Sequence, residues 1–280
     1  MKKFHKLELL IVTAFITFFL VSCGSDRKTS NSNGQSKEKT VKIGIIGSDE
    51  RVWDVIKEEV KKKGITIKLV QFNTYDQPNQ ALVSGDVDIN AYQHIFYLEN
   101  WNETHHADIV PIGDTIISPL TVYSKKIKSV NDLKQGDEVS MPNDATNQAR
   151  ALELLASANL IKLKSGVKLP TPNDVQENPK KLKLTPLDAS QTPRSLDDVE
   201  MAVINGTVAL EAKLDTKQAI YVEKVTKKSK PWVNVVATLR KNKDNKTYHE
   251  IVKAYQSEKV AKKMKEIYKG ASVPAWNYKF

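Results

Sequence analysis

The sequence predicts an α/β fold made of two units, with the chain crossing between them twice. Three observations carry this prediction. Short apolar runs of strand length alternate with amphipathic stretches of helical period along the 280-residue chain. The first strand and helix are followed at once by another strand, a βαβ order that makes the two strands parallel. The strand-like runs at 120–124 and 233–239 sit where the chain leaves the first unit and returns to it.

Taken in order, 41–46 is a buried-type strand closed by Gly47-Ser48. Residues 52–63 are amphipathic, with Val52, Val55, Ile56 and Val60 on one stripe, and stop at Gly64. Ile65, Ile67 and Leu69 alternate through a second strand that ends at Phe72. Residues 73–78 form a loop into a short helix, with Pro78 near its first helical position. After the Gly85-Asp86 turn, 87–90 alternate as a short strand, and a helix is expected directly afterwards because Tyr92, Phe96 and Tyr97 share a helical face. Asn90, Tyr92, Gln93 and His94 therefore crowd a strand-to-helix junction, the place where ligands bind in open α/β sheets. The plainer alternative is a buried helix with a polar first turn.

In the second unit Ser129 caps a short helix. Residues 139–141 form a strand, and 142–147 turn into a helix with Ala149, Leu152, Leu155 and Ala156 on its apolar side. Residues 163–178 read as a Pro- and Lys-rich loop, and 182–187 and 201–204 as strands. Asn205-Gly206-Thr207 breaks into a helix of small residues, and 246–268 holds one or two amphipathic helices.

The N-terminus gives an address. Lys2, Lys3 and Lys6 precede an apolar run at 9–21 that is short for a membrane span but has the charge layout of a secretory signal. The run ends in Leu20-Val21-Ser22-Cys23, the pattern of a bacterial lipobox, in which the Cys is acylated and becomes the new N-terminus. Residues 1–22 are thus expected to be a lipoprotein signal peptide, and 23–40 a polar, flexible tether carrying lipidated Cys23. Cys23 is the sole cysteine, which excludes an intramolecular disulfide. The expected location is the extracytoplasmic face of a bacterial membrane.

Removing Lys2, Lys3, Lys6 and Glu8 with the signal lowers the net charge from +10 to +8. The remaining lysines are interspersed with acids, as in KEEVKKK, and no basic stripe with interleaved aromatics appears, which argues against nucleic acid as a partner.

Several segments together resemble the NlpA/MetQ family of methionine-binding lipoproteins, the solute receptors of an ABC importer. They are FNTYDQPNQAL, GDVDINAYQH, YSKKIKSVNDL, MPNDATNQARALELL with NLIKLK, LDDVEMAVINGTVA and PWVNVVATLRKNKD. The resemblance implies an α/β, two-lobe periplasmic-binding-protein-like fold, with residues 41–122 plus 232–280 as one lobe and 123–231 as the other. It also implies two crossover strands, a cleft between the lobes and no catalysis. The implied ligand is methionine or a methionyl dipeptide, the implied partners are a permease and ATPase complex, and no cofactor is expected. Two departures touch the cleft: Ile95-Phe96-Tyr97 stands where relatives carry Lys-Pro-Tyr, and Val208 stands where an aromatic is common.

A zwitterionic amino acid needs a cation for its carboxylate, acceptors for its ammonium and an apolar slot. Arg150, expected in the first turn after 143–147, suits the carboxylate through paired hydrogen bonds; its local alternative is a pair with Glu153. Asn205 and Asn234 offer both donor and acceptor atoms. Taken alone they read as a turn or cap and as a backbone partner, and the resemblance places both in the cleft. Asn147 reads as a cap or a ligand contact. Tyr75, Tyr92, His94 and Phe96 are aromatic walls suited to a thioether, with Phe96 closer to plain core and Tyr123 a weaker case. His94 fits either a satisfied core histidine or a ligand contact.

A metal-binding receptor, a receptor for another amino acid and an enzyme on the same scaffold are the alternatives. His105 and His106 are adjacent, so their side chains diverge, and no HxH or HExxH spacing accompanies them. No GxSxG elbow, Walker loop or GxGxxG occurs.

Overall fold

The computed structural model describes residues 38–280. The signal peptide, Cys23 and all but the end of the tether lie outside the described residues.

The chain first lays down β1 (Lys39–Ile46), α1 (Arg51–Lys61), β2 (Ile65–Phe72), α2 (Asp76–Ser84), β3 (Ile89–His94), α3 (Ile95–His105) and β4 (Ile109–Ile117). It passes through 118–120 into β5 (Thr121–Tyr123), β6 (Glu138–Pro142), α4 (Ala145–Ser157), β7 (Lys162–Leu163) and β8 (Val175–Glu177). Then come β9 (Lys183–Leu187), β10 (Met201–Ile204), α5 (Gly206–Glu211) and β11 (Tyr221–Val222). A short 3-10 helix, Lys227–Trp232, leads back into β12 (Val233–Leu239), α6 (Lys246–Tyr255), α7 (Glu258–Tyr268) and β13 (Val273–Pro274).

Two main sheets result, ordered β13-β4-β12-β3-β1-β2 and β11-β5-β10-β6-β9, with β7 and β8 forming a small third one. The βαβ expectation holds, since β1 and β2 pair in parallel. Lys39 and Thr40, expected at the end of the tether, already pair with Ile65 and Thr66. The expected division after Val122 falls inside β5, because Thr121 and Val122 pair with Ile204 and Val203 of the second sheet.

Strand alternation explains why each sheet is covered on both faces. In β10, Met201 and Val203 face the apolar side of α4, while Ala202 and Ile204 face a separate cluster that holds Val208 and Ala209 of α5. In β12, Val236 points to the cluster under α1, α6 and α7, whereas Val235 and Ala237 point to the one under α2 and α3. Helix α1 buries Val52, Trp53, Ile56 and Val60, so Trp53 joins the expected stripe.

Three local readings change. The third strand runs on through Tyr92, Gln93 and His94 before α3 begins. Pairing of Asn90 and His94 with Ala237 and Asn234 of β12 holds them extended, a long-range contact that the local period does not report. The expected loop at 163–178 carries the small β7–β8 pair. The short edge strands β11 and β13 have no sequence signal of their own.

Candidate functional site

All seven residues read from the sequence as ligand contacts, Tyr75, Tyr92, His94, Asn147, Arg150, Asn205 and Asn234, line one cavity between the two sheets. Its free volume is narrow, about 30 Å3. It adjoins a wider chamber of about 670 Å3, with which it shares Tyr92, Gly206, Thr207 and Asn234.

The first sheet supplies Tyr92 and His94 from the end of β3 and Asn234 from β12, with Tyr75 at the start of α2. Tyr75, Tyr92 and Tyr97 form a triangle with ring centroids 6.1–6.2 Å apart. Burial pushes all three phenols up, so they stay neutral donors. Tyr97 donates to Asp76 Oδ1 at 2.9 Å, whereas the buried Tyr92 hydroxyl has no hydrogen-bond partner.

The His94 tautomer follows from its neighbours. Nδ1 accepts the Tyr97 N–H at 2.9 Å, capping α3, so the ring proton sits on Nε2, which faces Asn147 Oδ1 at 3.3 Å. Burial, and next the nearby Arg150 cation, hold the imidazole down to about 3, leaving it neutral.

The second sheet supplies Asn147, Arg150 and Asn205. The cap of α4 is Asp144 rather than Asn147, and Asp144 accepts both the backbone N–H of Asn147 and its side-chain amide. Asn147 Oδ1 then accepts from Asn205 Nδ2 at 2.8 Å, while Asn205 Oδ1 is buried without a partner. Arg150 stands in the second turn of α4, not the first, and is 4% exposed. Its carboxylate partner is Glu223 rather than Glu153, and Trp232 covers its guanidinium face at 4.7 Å. Phe96 does not line the cavity and packs on Trp232.

Gln93, Tyr97, Ser118, Gly206 and Thr207 also line it. Gln93 and Tyr97 lie at the strand-to-helix junction, Gly206 and Thr207 belong to the turn that follows the 201–204 strand, and Ser118 has no signal of its own. Gly206 is required by proximity, since a Cβ there would come within 2.9 Å of Ser118 Cβ.

This arrangement offers a guanidinium edge, an amide pair and an aromatic wall to a ligand that bears both charges. Among the described residues no group of three or more His, Cys, Asp or Glu side chains comes together, and His105 stacks on Trp101 instead. No described helix is long and apolar enough to cross a membrane.

Known proteins share this architecture. The chain is 43% identical over 263 residues to the D-methionine-binding lipoprotein MetQ of Escherichia coli strain K12, covering 92% of this chain and 93% of that protein. The crystal structure of the substrate-binding protein of a methionine transporter from Streptococcus pneumoniae superposes with a TM-score of 0.81 at 43% identity, over 85% of this chain and 96% of that one. A nutrient-binding protein from Burkholderia cenocepacia bound to methionine gives 0.80 at 44%, over 84% and 99%. The family model for the NlpA lipoprotein matches residues 41–276, nearly all of the described fold. By sequence and by architecture alike, the chain belongs to the NlpA lipoprotein family.

Proposed function

We propose that this chain is the lipid-anchored receptor of an ABC importer, held by Cys23 at the extracytoplasmic face of a bacterial membrane. In this reading it binds methionine or a methionine-containing dipeptide between its two sheet-centred lobes and presents it to the permease and ATPase. It performs no catalysis. The observation that carries the reading is the convergence of both sheets on one cavity lined by Arg150 together with Tyr92 and Asn205, whose hydroxyl and amide carbonyl are buried without partners. Unpartnered buried polar atoms cost free energy unless a ligand satisfies them.

The ligand carboxylate is assigned to Arg150, its ammonium to Asn147 and Asn205, and its thioether to the tyrosine triangle and His94. The lobes close about the crossings at 118–120 and 223–232, and closure is driven by contacts present only in the closed form.

Mass spectrometry of small molecules released from the purified protein by denaturation, followed by calorimetric titration, tests this. Methionine or a methionyl dipeptide at near-stoichiometric level is the expected result. A protein that neither carries nor binds either one overturns the reading.

A further inference from the structure

Arg150 is shared between the cavity and the two crossings. Its Nε and Nη2 donate to the carboxylate oxygens of Glu223 at 2.9 and 2.5 Å, and Nη2 also donates to the Ser118 carbonyl at 3.0 Å. Glu223 accepts in addition from the Leu120 N–H at 2.9 Å, and its own N–H donates to the Leu120 carbonyl at 2.9 Å. Ser118 and Leu120 lie on the outward crossing, and Glu223 begins the return. With Nε and Nη2 committed and Trp232 on one face, Nη1 is the edge that remains for the cavity; among the described residues it has no protein acceptor.

We propose that Glu223 is a positioning and specificity-determining residue. It fixes the Arg150 guanidinium so that Nη1 is offered to the ligand. It also cancels the guanidinium charge, so that the site prefers a zwitterionic amino acid to a carboxylic acid lacking the ammonium group. This rests on the amino-acid reading given above.

Arg150 and Glu223 sum to zero, and the pair is largely buried, at 4% and 17% side-chain exposure. A zwitterion leaves this site neutral. A plain carboxylate leaves it at net −1, with two carboxylates sharing one guanidinium, and like charges removed from water disfavour each other. The negative charge of Glu223 is already felt nearby: Glu153 has its carboxyl raised, first by burial and then by Glu223.

The test is calorimetric titration of the full chain, its Glu223→Gln variant and its Glu223→Asp variant, each with L-methionine and with 4-(methylthio)butanoic acid. The latter is the same molecule without its ammonium. Glu223→Gln should narrow the preference for methionine by roughly tenfold or more, because the site gains a net positive charge. Glu223→Asp keeps the charge but draws the carboxylate back, and should weaken both ligands while keeping the preference. An unchanged preference in folded Glu223→Gln protein, or a lost one in Glu223→Asp, overturns the proposal.

Absence of binding of both methionine and a methionyl dipeptide by the unaltered chain overturns the functional reading instead. The positioning role is then decided by the NMR resonance of the Arg150 Nε–H, expected to exchange slowly in the unaltered chain and rapidly in Glu223→Gln. The same resonance in both proteins overturns it.

Discussion

Arg150 and His94 behave differently because one is paired and the other is pinned. Replacing Arg150 by Ala removes the proposed carboxylate anchor and strands Glu223, so methionine affinity should fall by about 2–5 kcal/mol. Part of the accompanying loss of stability is then the unpaired Glu223 carboxylate, and Arg150→Ala/Glu223→Gln should melt higher than Arg150→Ala alone. Titration calorimetry and thermal melts read the two effects separately. For His94, the folded value of about 3 lies below the ordinary imidazole value of 6.5. The unfolded chain therefore binds the extra proton first as pH falls. The stability that this group contributes is complete above about 6.5 and is lost as pH drops toward 3, with a slope of up to about 1.4 kcal/mol per pH unit. Urea titrations at stepped pH should show that slope in the unaltered protein and a shallower one in His94→Gln; equal slopes would remove His94 as the acid-sensitive group.

At the scale of elements, helix α4 depends on its cap. Asp144 accepts the Asn147 N–H at 2.9 Å while its carboxyl is raised by burial, so its hydrogen bonds offset desolvation. Asp144→Ala should lower stability by about 1–2 kcal/mol, and because Asp144 also holds the Asn147 amide it should weaken ligand binding too. Asp144→Asn should recover most of the stability, as denaturant curves would report. Elements whose period is local were legible in the sequence: β1, α1 and β2 follow from alternation, a 3.6-residue stripe and punctuation at Gly64. The limits of β3 were not, because what holds Tyr92 to His94 extended is pairing with β12, more than a hundred positions away. The residues that line the cavity were legible mainly through the family segments, since Asn205 or Asn234 read alone is an ordinary turn or strand residue. Glu223 was missed for the same reason as β11: a two-residue edge strand has no period, and the residue's role arises only where the crossings meet.

For the whole molecule, one contact that spans the lobes, beside the wider chamber, is Glu211 on α5. Its carboxylate accepts from Ser48 N at 2.9 Å, Ser48 Oγ at 3.0 Å and Asp49 N at 3.1 Å. It lies against Gly47, whose φ of +79° suits glycine, and a Cβ built there would meet the Glu211 carboxylate at 2.5 Å. This group is exposed to solvent, so Glu211→Ala should leave the melting temperature nearly unchanged. It should instead speed ligand release, as stopped-flow measurements would detect, because one contact of the closed form is gone. Tyr75 also packs against apolar clusters of both lobes, so the proposed opening would strip its ring from one of them.

The placement of Trp232 gives the molecule an optical signal of its own. Its indole lies 4.7 Å from the Arg150 guanidinium, 5.0 Å from the His94 ring and 5.4 Å from Phe96. The other tryptophans are engaged elsewhere, Trp53 and Trp276 on Tyr255 and Trp101 on His105. Charge arriving at Arg150 changes the field across one indole out of four, so ligand capture should shift the intrinsic emission without any added dye, and Trp232→Phe should silence that response.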